Sequence, residues 1–216
     1  MNMLEISNII FHTMFYEVIF DLETKKFFDE TGRFDPSELG VSIVSLYRRK
    51  VDEDFKELEG EILSFWEGEF EKMWKFFLEA DRIVGFNSVG FDVPALSPYA
   101  PKGFSKLPHF DILAKIKEAT GHKSSLQSIA KATLGEQKTD SGANAIAYWR
   151  RGDKKSLSLL KKYCQDDVRI TKAVYDYGLV NRLIRTTDYW NNPREIEVDF
   201  SYSKNKSLKA PQQSLF

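Results

Sequence analysis

The order of elements along this chain predicts an α/β or α+β fold, with helices flanking one mixed central sheet. Two observations carry that expectation. Strand-like segments crowd the first third, a helix and a further short strand follow, and the second half is mainly helical. Hydrophobic residues also make up 42% of the 216 residues, and 14% of the chain is aromatic, enough to fill such a core and to exclude wholesale disorder.

The first strand is Phe15-Tyr16-Glu17-Val18-Ile19-Phe20, an apolar run that reads as buried. It delivers two carboxylates, Asp21 and Glu23. Strand side chains alternate, so both acids point to one face with Cα atoms roughly 6.6 Å apart. Such a pair repels itself and loses hydration at the end of a core strand. A bound divalent cation is the natural agent to offset that cost. Glu30 to Arg33 then form a turn, and Val41 to Tyr47 alternate apolar and small polar residues, as in a sheet with one covered face. Glu53 to Leu58 close the meander as a third, more exposed strand. Phe65, Phe70, Met73, Trp74 and Phe77 recur at helical spacing and predict an amphipathic helix to about Ala80. Arg82 to Phe86 read as a short central strand, Asn87 to Gly90 as a turn, and Phe91 to Pro94 as the start of a helix.

Further on, Ser124-Ser125 can cap a helix carrying Leu126, Ile129, Ala130 and Leu134, stopped by Gly135. A short helix covers Ala143 to Trp149, and a longer one runs from the N-cap Asp153 to about Tyr177. From Asn191 the chain turns polar, and Ser203 to Phe216 read as an unstructured tail. The expected organisation is an N-terminal extension over 1–14, one domain over 15–190 and a polar tail over 191–216, with Met14 an alternative start.

Composition narrows the function classes. A formal net charge of −1 means that nucleic-acid binding must rest on local patches. The single cysteine, Cys164, excludes an internal disulfide framework. No basic segment followed by a long apolar run opens the chain, and no stretch is apolar enough to span a bilayer. These features predict a cytoplasmic protein without membrane contact.

Two further carboxylates complete a constellation. Asp92 follows a central strand and a Gly-containing turn, where α/β folds collect site residues. On the long helix, Leu160, Tyr163, Asp167, Ile170 and Val174 share one stripe, with Asp166 about 100° away. Asp167 is therefore the preferred ligand and Asp166 the alternative. Two acids from one strand, one after another strand and one on a late helix match a hard-cation site of oxygen ligands. Such a cluster can hold two Mg²⁺ or Mn²⁺ ions roughly 3.5–4 Å apart. Taken alone, Asp92 also suits a helix cap and Tyr163 a core position. Asp111 fits support of the fold or a helix start, and His12, His109 and His122 have no metal-ligand spacing.

Phe20-Asp21-Leu22-Glu23-Thr24 resembles the first motif of DEDD-type 3′–5′ exonucleases, which have the RNase H-like α/β fold: a mixed central sheet flanked by helices. Val84-Gly85-Phe86-Asn87 with Phe91-Asp92 resembles the second motif. Tyr163-Cys164-x-x-Asp167 resembles the tyrosine form of the third, as in proofreading domains of family B DNA polymerases. The likeness extends from about Tyr16 to Tyr177, and the order and spacing of the motifs make it specific. By this resemblance Asp21, Glu23, Asp92 and Asp167 would bind two Mg²⁺ or Mn²⁺ ions, and Tyr163 would orient the attacking water. Thr24, Phe86, Asn87 and Phe91 would contact the departing strand, and Lys138 a phosphate. One departure stands out. The family often has a small residue and Gly after Glu-Thr, where this chain has Lys25-Lys26-Phe27-Phe28, altering the lip at the terminal nucleotide.

Gln212-Gln213-Ser214-Leu215-Phe216 resembles the bacterial sliding-clamp-binding pentapeptide, with Gln212, Leu215 and Phe216 as contacts. The reading is a metal-dependent 3′–5′ exonuclease acting on DNA, single-stranded by preference, and releasing 5′-mononucleotides. The rivals are an exoribonuclease and a non-catalytic nucleic-acid or clamp adaptor.

Overall fold

A computed structural model describes residues 14–135, 142–187 and 192–201. A five-stranded sheet organises the chain. Its strands are β1 (Phe15–Thr24), β2 (Val41–Val51), β3 (Glu57–Trp66), β4 (Arg82–Gly85) and β5 (His109–Asp111). They lie in the order β3-β2-β1-β4-β5. β1 is antiparallel to β2 and parallel to β4, so the sheet is mixed and β1 is central. Asp21 pairs with Ser45 and Glu23 with Ile43, just before a bulge at Glu23/Thr24.

Alternation along β1 divides the core. Val18, Phe20 and Leu22 pack with Phe70, Met73, Trp74 and Phe77. Trp74 and Phe77 come from α1 (Trp74–Glu79), and α2 (Asp92–Leu96) adds Val93 and Leu96 to the same cluster. Ile19, on the other face, packs with Val168, Val174 and Tyr175 of α6 (Lys154–Asn181), and with residues of α3 (Ile112–Thr120) and α4 (Leu126–Leu134). The face that carries Ile19 also carries Glu17, Asp21 and Glu23. α5 (Gly142–Arg151) adds Ala145, which packs with Leu160, Tyr163 and Cys164 of α6.

The helix boundaries follow their signals. The Ser125 hydroxyl accepts the Ser128 amide at 3.1 Å, and Gly135 ends α4 in the left-handed region at φ 74°. Asp153 caps α6 by accepting the Lys155 and Ser156 amides, each at 3.0 Å. α6 continues to Asn181, four residues past the expected end, because its stop is Arg182 at φ 57° and not a glycine.

Three expectations need correction. The third strand starts at Glu57, since Asp52 accepts the Asp54 and Lys56 amides and makes 52–56 a turn. Phe65 belongs to β3 and not to a helix; its spacing to Phe70 and Met73 mimics a helical stripe because a 3-10 segment (Glu67–Lys72) links β3 to α1. The polar stretch from Asn191 includes β7 (Pro193–Glu197), which pairs antiparallel with β6 (Leu183–Thr187). Beyond it, Phe200 packs on Phe110 and Tyr175, against a helix surface that an alanine at Gly178 would occlude, its Cβ falling 2.2 Å from the ring. No helix among the described residues is long and apolar enough to cross a membrane.

Candidate active site

β4 pairs with β1 only over Glu17 to Ile19, so the last residues of β1 extend past it. Into this space the chain brings the turn after β4 and then α2. Gly85 makes the turn feasible, since a Cβ there would lie 2.4 Å from that of Ser88. Asn87 sits in the left-handed region at φ 63°, a conformation that asparagine tolerates. Asp111, at the end of β5, accepts the Asn87 and Val89 amides at 2.9 Å each and the Ala114 amide at 3.1 Å. One buried carboxylate thus shapes the turn and caps α3.

That turn delivers Asp92 to β1. Its carboxyl group accepts hydrogen bonds from the Leu22 amide and from its own amide, which places it beside the stretch bearing Asp21 and Glu23. Burial, reinforced by Asp111 and Asp167, outweighs those bonds and pushes it up to about 7.

From the opposite side, α6 contributes Tyr163, Cys164 and Asp167, all buried. The Tyr163 hydroxyl engages the Asp167 carboxyl. Burial first, then the charges of Asp167, Glu23 and Asp21, push its phenol far above the ordinary range, so it stays protonated and acts as a donor. The carboxylate oxygens of Asp21 and Glu23 and the Cys164 sulfur all lie within 4.8 Å of one another, the one such grouping among the described residues. Cys164 also reaches the Asp21 carbonyl at 3.5 Å. Burial, with the charges of Asp21 and Glu23, raises its thiol well above the ordinary value.

The donor set fits a divalent cation. Asp167 of α6 acts on Asp92 of α2, and Asp167, Glu23 and Asp21 all act on Tyr163; closely spaced acids of this kind are what a hard cation stabilises. Asp166 lies elsewhere, ion-paired to Lys162 at 2.6 Å and Arg169 at 2.8 Å.

The expected substrate contacts divide. Thr24 and Phe91 line a pocket of about 280 Å³ together with Glu23, Phe27, Phe28 and Ile146. Phe86 instead packs against the core cluster under α4 and α6. Lys138, Gln212, Leu215 and Phe216 lie outside the described residues. Two participants escaped the sequence reading. Cys164, three residues before Asp167 on the helix, carried a spacing signal. Ile146 carried none, because it approaches only through the packing of α5 on α6.

No curated protein matches the chain. Among solved structures, the family B DNA polymerase from the hyperthermophilic archaeon Pyrobaculum calidifontis is similar over 76% of this chain, with 23% identity and a TM-score of 0.55. The likeness concerns the fold, and the matched region is 24% of that polymerase chain. A family model of the RNase H superfamily matches residues 18–178. That span opens within β1 and closes within α6, taking in every element that bears a candidate ligand, and by it the chain belongs to the RNase H superfamily.

Proposed function

We propose that the protein is a metal-dependent 3′–5′ exonuclease of the tyrosine DEDD type, acting on single-stranded DNA. The observation that supports this reading is that the protonated Tyr163 hydroxyl lies in the field of Asp21, Glu23 and Asp167, with Asp92 in turn in the field of Asp167. Membership of the RNase H superfamily and the resemblance of all three motifs support it.

The four carboxylates would hold two Mg²⁺ or Mn²⁺ ions. When bound, such a pair lowers the pKa of water and polarises the scissile phosphodiester. Burial of Glu23, Asp92 and Asp167 keeps competing water away from the ligand oxygens. Tyr163 is too weak an acid to serve as a base at neutral pH. Its hydroxyl holds the Asp167 carboxyl in place and orients the attacking water as a hydrogen-bond partner. The pocket beside Glu23 would take the terminal nucleotide, leaving a 5′-monophosphate product.

The test is turnover of a 3′-labelled strand with Mg²⁺ or Mn²⁺, on matched single-stranded DNA, duplex DNA and RNA. Asp21→Ala and Asp167→Asn should abolish it while both variants stay folded, and full activity in both would sink the assignment. Faster cleavage of RNA would make the protein an exoribonuclease, and no turnover with any substrate would make it an adaptor. The tail keeps the role its pentapeptide suggests: deleting Gln212 to Phe216 should abolish binding to a sliding clamp and spare turnover of short strands.

A further inference from the structure

The segment between β1 and β2 departs from the family pattern, and its structure gives that departure a use. Phe34 is 92% exposed, an unusual position for a phenylalanine held in a defined place. Its ring stacks on Phe28, with centroids 5.2 Å apart and planes 28° from parallel. Phe28 in turn meets Phe91 edge-on at 6.1 Å. Phe91 and Phe28 both line the pocket that contains Glu23. Three rings therefore run from the candidate site to open solvent, and the outer face of the last one is uncovered.

The segment is braced. Thr31 donates to the Phe28 and Arg33 carbonyls, the Glu30 carboxylate accepts the Phe27 amide, and Asp35 accepts the Ser37 amide. Arg150 ties Glu30 to α5 and lies over the Phe27 ring at 5.6 Å. Lys26 lines the same pocket. An exposed aromatic ladder that runs to the candidate site, with Lys26 at the pocket, suits a strand with flat, unstacked bases.

We propose that Phe34, Phe28 and Phe91 form a stacking platform for the unpaired bases of a nucleic-acid strand whose end lies in the pocket beside Glu23. The proposal rests on the nuclease reading for the direction of that strand. Phe34 is the specificity-determining residue, because it offers a free π-face and contributes almost nothing to the buried core. Bases within a duplex are stacked on their neighbours and have no free face to offer, so a ladder of several rings favours a single strand over a duplex.

The experiment measures binding of labelled oligothymidylates of increasing length by fluorescence anisotropy in EDTA, with turnover in Mn²⁺ followed separately. Base stacking on an aromatic ring predicts that Phe34→Ala weakens binding of the longer strands about 5- to 100-fold, with the loss growing with length. Phe34→Trp should retain binding, and Phe34→Leu should fall with the alanine variant. Wild-type affinity in Phe34→Ala, or affinity in Phe34→Leu equal to that of Phe34→Trp, overturns the platform. Turnover by the wild-type protein beside unchanged binding in Phe34→Ala refutes the platform alone. Binding that depends on Phe34 without turnover upholds the platform and refutes the nuclease reading. A protein that neither binds nor cleaves the strands overturns both.

Discussion

Asp92→Asn should stabilise the metal-free protein at neutral pH while abolishing its activity. Asp92 is 4% exposed, and its carboxyl is raised from 3.8 to about 7 by burial and by Asp111 and Asp167. At ~1.36 kcal/mol per pH unit, holding it ionised costs the folded state about 4 kcal/mol more than the unfolded chain. The sign follows from proton binding. Between pH 4 and pH 7 the folded protein retains a proton that the unfolded chain has released, so stability falls as pH rises through that window and levels off above it. Asparagine removes the charge and keeps an oxygen for the Leu22 amide. It forfeits the stronger bonds of an ionised acceptor, so the realised gain is about 1–3 kcal/mol. For a chain of this size that is a rise of roughly 3–10 °C in melting temperature. The assay is thermal melting in EDTA at pH 5.5 and pH 8, repeated with Mn²⁺. Wild type should melt lower at pH 8 than at pH 5.5 and recover with Mn²⁺, and the variant should lose most of both responses. A variant that melts lower than wild type at pH 8 in EDTA would refute the reasoning and make Asp92 a structural helix cap.

Tyr163→Phe should lower turnover about 10- to 100-fold, the usual cost of losing a partner that orients a ligand. Because the phenol stays protonated, the pH–rate profile should keep its shape, and loss of an alkaline limb would show that Tyr163 ionises. Arg49→Met should cost about 3–5 kcal/mol, since it leaves the fully buried Glu17 without the guanidinium bonded to it at 2.8 Å. Urea unfolding measures that loss, and adding Glu17→Gln should return much of it; equal stability of the single and double variants would dismiss the pairing. For His109, burial lowers the pKa against the pull of the Phe104 carbonyl and Asp111. The unfolded chain then takes up the proton first, and stability should fall as pH drops below about 6.5. His109→Gln should flatten that part of the melting curve, and an unchanged slope would place the acid sensitivity elsewhere.

Period-two and cap signals made much of this architecture legible. The alternation of β1 placed Asp21 and Glu23 on one face, and Asp153, Ser125 and Gly135 marked helix ends that the structure reproduces. What stayed hidden shares a cause: it depends on contacts between residues distant in sequence. β5 has three residues, too few to show a period; Asp111, at its end, starts α3 as expected, but its hold on the turn bearing Asp92 left no local signal. β6 follows α6 with no glycine or proline between them, so nothing announced a change of period.

The same limit explains why alternation alone could not rank the acids of β1. Glu17, Asp21 and Glu23 stand on one face of one strand, and a pattern rule treats them alike. The structure treats them differently. Glu17 receives Arg49 at 2.8 Å and the Tyr175 hydroxyl at 2.7 Å, and that hydroxyl also accepts from Arg82 at 3.0 Å. Its charge is matched within the fold, far along the strand from the candidate site. At the other end, what converges on Asp21 and Glu23 is the acidic side chain of Asp167, beside Tyr163 and near Asp92. A fold that brings a guanidinium to one carboxylate of β1 and a further acid to the other two gives the two ends of the strand opposite electrostatic surroundings. The placement of Arg49 at Glu17, and of Asp167 beside Tyr163 at the other end of β1, is the electrostatic division that the proposed metal site requires.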